Sequence, residues 1–364
     1  VIDYDTTYYS SEIRSVYYTN YNRRNPVNIL NLSNSISVGT KMLKDDFSLR
    51  WTRKLGKYEL SSRFFLSLVS YTGKNGRYYD YILTNTEISG KKRFGFFEAE
   101  LTSGLNGRIS ENKAYTYLEY KVRLIPTVRI NDRNIIRLST AILKRGYRGN
   151  LYSSYYRLNP ELSMELYFGE LSNINFSLGY ERQNVLNPEL SKNNSMPYMR
   201  VDSQVRFDNE FYFIASISGE HKKYDEQDFI HYNYTHINSI AGVKYEMITW
   251  NISLTPSINY FYGDTFYFAE PYYEIGIQTG GGVMKRKKIW FDGTVEIGKR
   301  EYFNQTELSF STPYFYTNII FNIKIWLKDN LTINAFTNYT PEWHKNPSDN
   351  FILTYISGNI RYEF

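Results

Sequence analysis

Ionised side chains recur at every second position through long stretches of this chain. Between 118 and 130, Glu119, Lys121, Arg123 and Arg129 alternate with Leu118, Tyr120, Val122, Leu124, Val128 and Ile130. Between 156 and 168, Arg157, Glu161 and Glu165 alternate with Leu158, Leu162, Met164 and Leu166. Between 199 and 207, Arg200, Asp202 and Arg206 alternate with Met199, Val201 and Val205. Equivalent positions elsewhere hold the bases Arg137, Arg145 and Arg300 and the acids Glu98, Glu100, Glu181, Glu274 and Glu296. Files of both signs have two physical uses. Lining a wet passage, they tune which ions pass by their sign. Facing each other across strands, they pair and stabilise a wall.

Catalysis has less to work with. The four histidines are His221, His231, His236 and His344. Glu220 and His221 are neighbours, so a strand sends them to opposite faces. His231 and His236, five apart, also part company, and His344 reads as part of a Pro-flanked loop. His236 shares a face with Asn238, but no serine is placed beside them. The chain therefore reads as a non-enzyme. Absence of cysteine excludes a disulfide scaffold, a Cys-ligated zinc site and thiol catalysis. No His/Asp cluster has the spacing of metal ligands, and no cofactor is implied. Thr279-Gly-Gly-Gly282 lacks the following Lys-Ser/Thr and the helix of a phosphate loop. Glycine there reads as a bend or bulge in a strand. The net charge of +6 is spread along the chain without a compact basic patch, so nucleic acid is not expected as a partner.

The elements that must carry these charges are strands. Period-2 alternation is nearly continuous, and helical periodicity is almost absent. Many segments run ~12–16 residues, longer than globular strands usually are. Tight polar turns are expected at Gly56-Lys57, Lys91 to Arg93, Asn131 to Arg133, Gly169-Glu170, Asp208-Asn209, Ile248-Thr249, Lys285 to Lys288 and Lys328 to Asn330. They recur at roughly one long hairpin's length. Opposite connections alternate with them, among them Gly73 to Gly76, Asn187 to Asn194 and Pro341 to Asp349; the second and third read as the longest. No linker or shift of composition divides the meander.

A long meander leaves two exposed edges unless it closes on itself. Closed with its oily face outward, it is a transmembrane β-barrel, the only alternative to helices for crossing a bilayer. No apolar run approaches the ~18–20 residues of a membrane helix. Aromatic residues make up 18% of the chain and crowd the strand ends, at Tyr78-Tyr79, Tyr155-Tyr156, Trp250, Tyr272-Tyr273 and Tyr314 to Tyr316. Such rings favour the water–lipid boundary. The expected fold is all-β, a transmembrane up-and-down antiparallel barrel of 16–18 strands over residues 27–364. Residues 1–26 are left as an N-terminal arm, a plug or an extra strand. The chain opens at Val1 without a leader, as a mature form or a piece of something longer would.

The last residues carry a resemblance. Ile356, Gly358, Ile360, Tyr362 and Phe364 alternate to a terminal aromatic. This resembles the C-terminal signal of bacterial outer-membrane β-barrels, broadly porin-like. The resemblance implies a place in the bacterial outer membrane. Its implied partners are membrane lipid and lipopolysaccharide, and an insertion machinery that reads Ile360, Tyr362 and Phe364. Basic runs in the turns, Lys91 to Arg93 and Lys285 to Lys288, are expected beside anionic headgroups. The function expected first is a channel passing small hydrophilic solutes through a charged, water-filled lumen. The alternative is the barrel domain of a larger protein that exports polysaccharide or protein. An adhesin is disfavoured because the outward connections are short.

Overall fold

The structure is a computed structural model that describes residues 9–19, 28–38, 42–71, 79–149, 152–169, 171–228, 230–264, 270–285, 288–303, 312–328 and 331–362, with side chains from 43 to 358. The expected connection at Gly73 to Gly76, the terminal Phe364 and most of 1–26 outside Tyr9–Thr19 lie outside the described residues.

Long strands and short connections account for nearly all of it. The first eight strands are β1 Tyr9–Thr19, β2 Asn28–Val38, β3 Met42–Leu55, β4 Tyr58–Tyr71, β5 Tyr81–Phe94, β6 Phe97–Ser110, β7 Tyr117–Arg129 and β8 Ile135–Tyr147. Then come β9 Tyr155–Phe168, β10 Ser172–Val185, β11 Asn194–Arg206, β12 Phe211–Tyr224, β13 Tyr234–Glu246 and β14 Trp250–Gly263. The last five are β15 Tyr272–Lys285, β16 Ile289–Tyr302, β17 Tyr314–Lys328, β18 Leu331–His344 and β19 Phe351–Tyr362. Among the described residues nineteen strands exceed the expected 16–18 by one, and the difference is β1, which pairs antiparallel with β2. No helix among the described residues is long and apolar enough to cross a membrane.

Two compact units divide the chain. The first runs to Ser163 and takes in Gly179–Ser195; the second is Met164–Leu178 with Met196–Phe364. Within the first, β1 to β8 pair in chain order, each antiparallel to the next. Within the second, β12 to β19 do the same. The two-residue turns at Gly56 and Gly95 place glycine at φ 59° and 62°, and Gly169 after β9 stands at 73°, a region L-residues avoid.

The second turn corrects a reading. Lys91, Lys92 and Arg93 belong to β5, and the chain reverses at Gly95-Phe96. The positive-φ glycine sets the turn even though apolar Phe94, Phe96 and Phe97 surround it. Lys91 consequently reaches Glu98 at 2.8 Å, across the hairpin. Connection lengths differ as well. β18 continues through Pro341 to His344, so the connection expected at 341–349 is shortened to residues 345–350.

Burial is inverted in both units. In the first, Val122 is 48% exposed while Glu119 is 7% exposed. In the second, Ile252, Leu254, Ile275, Ile277 and Ile297 are exposed while Thr255 is buried. Among the described residues no large side chain is fully buried. Each exposed Leu or Ile forgoes about 1.5–3 kcal/mol if water is its neighbour. More than a dozen of them in the strands of each unit require an apolar medium there. The exposed apolar face and that medium are what the alternating sequence encodes.

The tyrosine doublets divide across the two faces. Tyr156 is exposed on the apolar face, while Tyr155 is buried on the polar one. Tyr314 and Tyr316 are likewise buried on the polar face. A strand turns successive side chains to opposite sides, so a doublet cannot serve a lipid boundary with both rings.

Candidate functional site

The polar face of the first unit is built from neighbouring strands in register. Glu98 on β6 takes Lys91 from β5 at 2.8 Å and Arg129 from β7 at 3.4 Å. Glu119 on β7 faces Arg145 on β8, whose Nε donates to Oε2 at 2.6 Å. The Arg145 guanidinium also lies 4.5 Å from the Tyr117 ring centroid. Arg157 on β9 pairs with Glu181 on β10 at 3.3 Å and donates to Gln183 at 2.7 Å. Glu100 accepts from Thr102 at 3.4 Å, and Arg137 stands opposite Thr127. Arg123 stands between Thr102 on β6 and Ala141 on β8.

In the second unit the charges are tied through tyrosine. Arg300 on β16 donates from Nε to Glu274 on β15 at 2.8 Å. Tyr272 and Tyr314 bracket that guanidinium, with centroids 4.2 and 5.2 Å away. The Tyr316 hydroxyl donates to Glu274 at 3.0 Å or Glu296 at 3.1 Å. Its ring lies across Gly298, where any Cβ would collide with it. Ser257 Oγ donates to the same Glu296 oxygen at 3.4 Å. Gly276, Gly280 and Gly282 of β15 face this same side, beside Ser257, Thr294 and Asp292. The glycines expected to bend a strand thus make room for the side chains that cross it.

Other sequence candidates take different places. Arg200 donates to Asp202 at 2.6 Å, and Ser216 donates to the same carboxylate at 2.7 Å. Arg206 folds onto its own turn and donates to the carbonyl of Asp208 at 3.0 Å, bracing the connection rather than facing along the strand. Glu165 keeps the alternation of Arg157 and Glu161 on β9. Ile360 and Tyr362 end β19, while Phe364 lies outside the described residues.

Among the described residues no histidine hydrogen-bonds a serine, and His221 lies 2.9 Å from the Thr235 hydroxyl. His236 stands opposite Glu220 on β12 and hydrogen-bonds Asn259 on β14 at 2.8 Å. Glu220 in turn accepts from Tyr234 at 3.1 Å. His344 ends β18, 2.9 Å from the Thr312 hydroxyl, rather than lying in a loop. In the connection after β12, His231 Nδ1 lies 3.0 Å from Asp228, whose pKa is pulled down to about 2 by hydrogen bonds from the His231 ring and from the His231 and Ile230 amides. Among the described residues no three His, Asp or Glu side chains are grouped to hold a metal ion.

Sequence reasoning passed over Lys121, Tyr316 and Lys91. Lys121 stood in the alternating file but was not singled out. Tyr316 and the other inward tyrosines were hidden in doublets read as boundary residues. The arrangement that results is a wall of ion pairs on one face, with apolar side chains on the other.

No protein-family model matches the chain. No curated protein matches it either. Solved structures do. The siderophore receptor PirA from Pseudomonas aeruginosa aligns with a TM-score of 0.59 at 10% identity, over 99% of this chain and 77% of that one. The copper transporter OprC aligns at 0.56 and 8% identity, over 99% and 80%. OccAB3 from Acinetobacter baumannii aligns at 0.51 and 9% identity, over 88% and 93%. At such identities the likeness speaks for architecture alone. The chain has the all-β, antiparallel transmembrane barrel fold of bacterial outer-membrane proteins.

Proposed function

We propose that the chain is a channel of the bacterial outer membrane that passes small hydrophilic solutes through a water-filled lumen lined by the charged face. The observation that carries this reading is an ionised side chain in mid-strand that water reaches: Arg200, near the centre of β11, has 64% of its side chain exposed although it is paired with Asp202. A lumen packed solid would leave no room for a hydrated guanidinium. Strand number agrees, because barrels of more than about sixteen strands enclose an aqueous passage. Paired charges along the wall give a polar surface with little net field, which suits neutral and weakly charged solutes. The structures that the fold resembles include a copper transporter and a siderophore receptor, and transport is the common theme. Membrane lipid covers the apolar face, and the terminal Ile360, Tyr362 and Phe364 serve insertion.

Liposome swelling tests the reading. Vesicles holding the purified protein should swell in isotonic arabinose and glucose faster than empty vesicles. Larger oligosaccharides should slow the rate. Swelling no faster than in protein-free vesicles, from protein shown to be inserted, would remove the small-solute reading and leave polymer export in its place.

A further inference from the structure

Most charges of the polar face are spoken for, but a few are not. Lys121 and Arg123, consecutive inward positions of β7, make no hydrogen bond or ion pair among the described residues. Register explains this. Lys121 stands between Gly104 on β6 and Leu143 on β8, and Arg123 between Thr102 and Ala141. Neither neighbouring strand offers a carboxylate opposite either cation; Glu119 on the same strand and Glu87 on β5, opposite Gly104, act on Lys121 through space without pairing with it. Two residues along a strand are about 6.8 Å apart, so the two charges repel across a gap that one small anion could bridge.

That gap is a recess. Lys121, Arg123, Ser139, Ala141, Arg157 and Glu181 line a cavity of ≈ 240 Å³ together with Leu143, Asn159 and Glu161. The short side chains of β8 leave it open, and Arg157 closes it from β9. Arg157 holds Gln183 and Glu181, the latter itself part of the lining, so its charge is shared. The contrast with the second unit is direct. There each carboxylate of the Glu274 and Glu296 pair is met by Arg300, Tyr316 or Ser257.

We propose that this recess binds a small oxyanion, the phosphate or carboxylate group of a solute, through Lys121 and Arg123 with Ser139 as a neutral donor. This deepens the channel reading and rests on it for its meaning: the recess would then bias the passage towards anionic solutes. Arginine supplies a planar fork that matches an oxyanion, and lysine a point charge beside it.

The test uses inorganic phosphate and acetate as probes on the purified full chain. In a planar bilayer, at least one of them should reduce the chloride current at millimolar concentration. Lys121→Gln with Arg123→Gln should weaken that block at least tenfold, while Lys121→Arg retains it. Ser218→Gln, on the polar face of β12, should leave it unchanged. Calorimetry on the detergent-solubilised protein measures the same binding without conduction. A silent bilayer with phosphate binding that the double variant abolishes would sink the channel reading and keep the site. A conducting channel that neither anion blocks or binds, or whose block survives the double variant, would overturn the site and spare the channel.

Discussion

Val122 offers a sharp test of which face meets lipid. It lies mid-strand in β7, between Ser103 on β6 and Ile142 on β8, and half of it is exposed beside an Ile142 more exposed still. Its chain neighbours Lys121 and Arg123 point the other way. Val122→Arg therefore sets a guanidinium into the apolar medium without touching an ion pair. At the bilayer midplane such a charge costs about 2–4 kcal/mol. That corresponds to a shift of about 30- to 700-fold in the folding equilibrium. The companion is Ser218→Arg, mid-strand in β12 on the polar face, next to Glu220 and opposite Asn238. Water and a carboxylate are within its reach, so it should cost under about 1 kcal/mol. Reversible urea unfolding in lipid vesicles, followed by tryptophan emission, measures both. Equal tolerance of the two substitutions, or greater damage from Ser218→Arg, would show the faces to be reversed.

Other expectations follow from particular contacts. Gly298→Val forces a branched side chain into the Tyr316 ring, so it should destabilise by about 1–3 kcal/mol, read as a lower unfolding midpoint in the same vesicles. A Tyr316→Ala background should recover most of that loss. Arg123→Gln should shift ion preference towards cations in a salt gradient more than Arg200→Gln, because Arg200 is already balanced by Asp202 while Arg123 faces no acid. Asp228 has a depressed pKa, so its contribution to order in the connection after β12 is complete above the ordinary carboxylate range near pH 4 and is lost as pH falls through about 2. Hydrogen exchange of the Ile230 and His231 amides should accelerate over that window beyond the intrinsic pH effect, and Asp228→Asn should remove the dependence.

Alternation made most of this architecture readable. In β7 the sequence alone separates Val122 from Arg123, because a strand has one period and every side chain obeys it. Strands β4 to β19 and most turns follow from the same rule joined to turn chemistry. Partners were not readable. That Glu274 meets Arg300 and Tyr316, or that Lys121 stands opposite no acid, depends on strand register, which is fixed by pairing between segments tens of residues apart. Lys91 was misplaced because three basic residues signal a turn more loudly than one glycine flanked by phenylalanines. The tyrosine doublets misled differently: a doublet has one ring on each face, and composition cannot say which ring matters. β1 was one of three open choices, and its polar sequence, Tyr9 to Thr19, reveals a strand only once β2 is beside it.

Single-channel recording is the measurement closest to the central claim. Protein that migrates faster unheated than boiled, and is therefore folded, should be added to a planar bilayer in symmetrical potassium chloride. Discrete, lasting conductance steps, with only mild ion preference in a gradient, are the expected result. Folded, inserted protein that gives no conductance at any voltage would contradict a water-filled lumen.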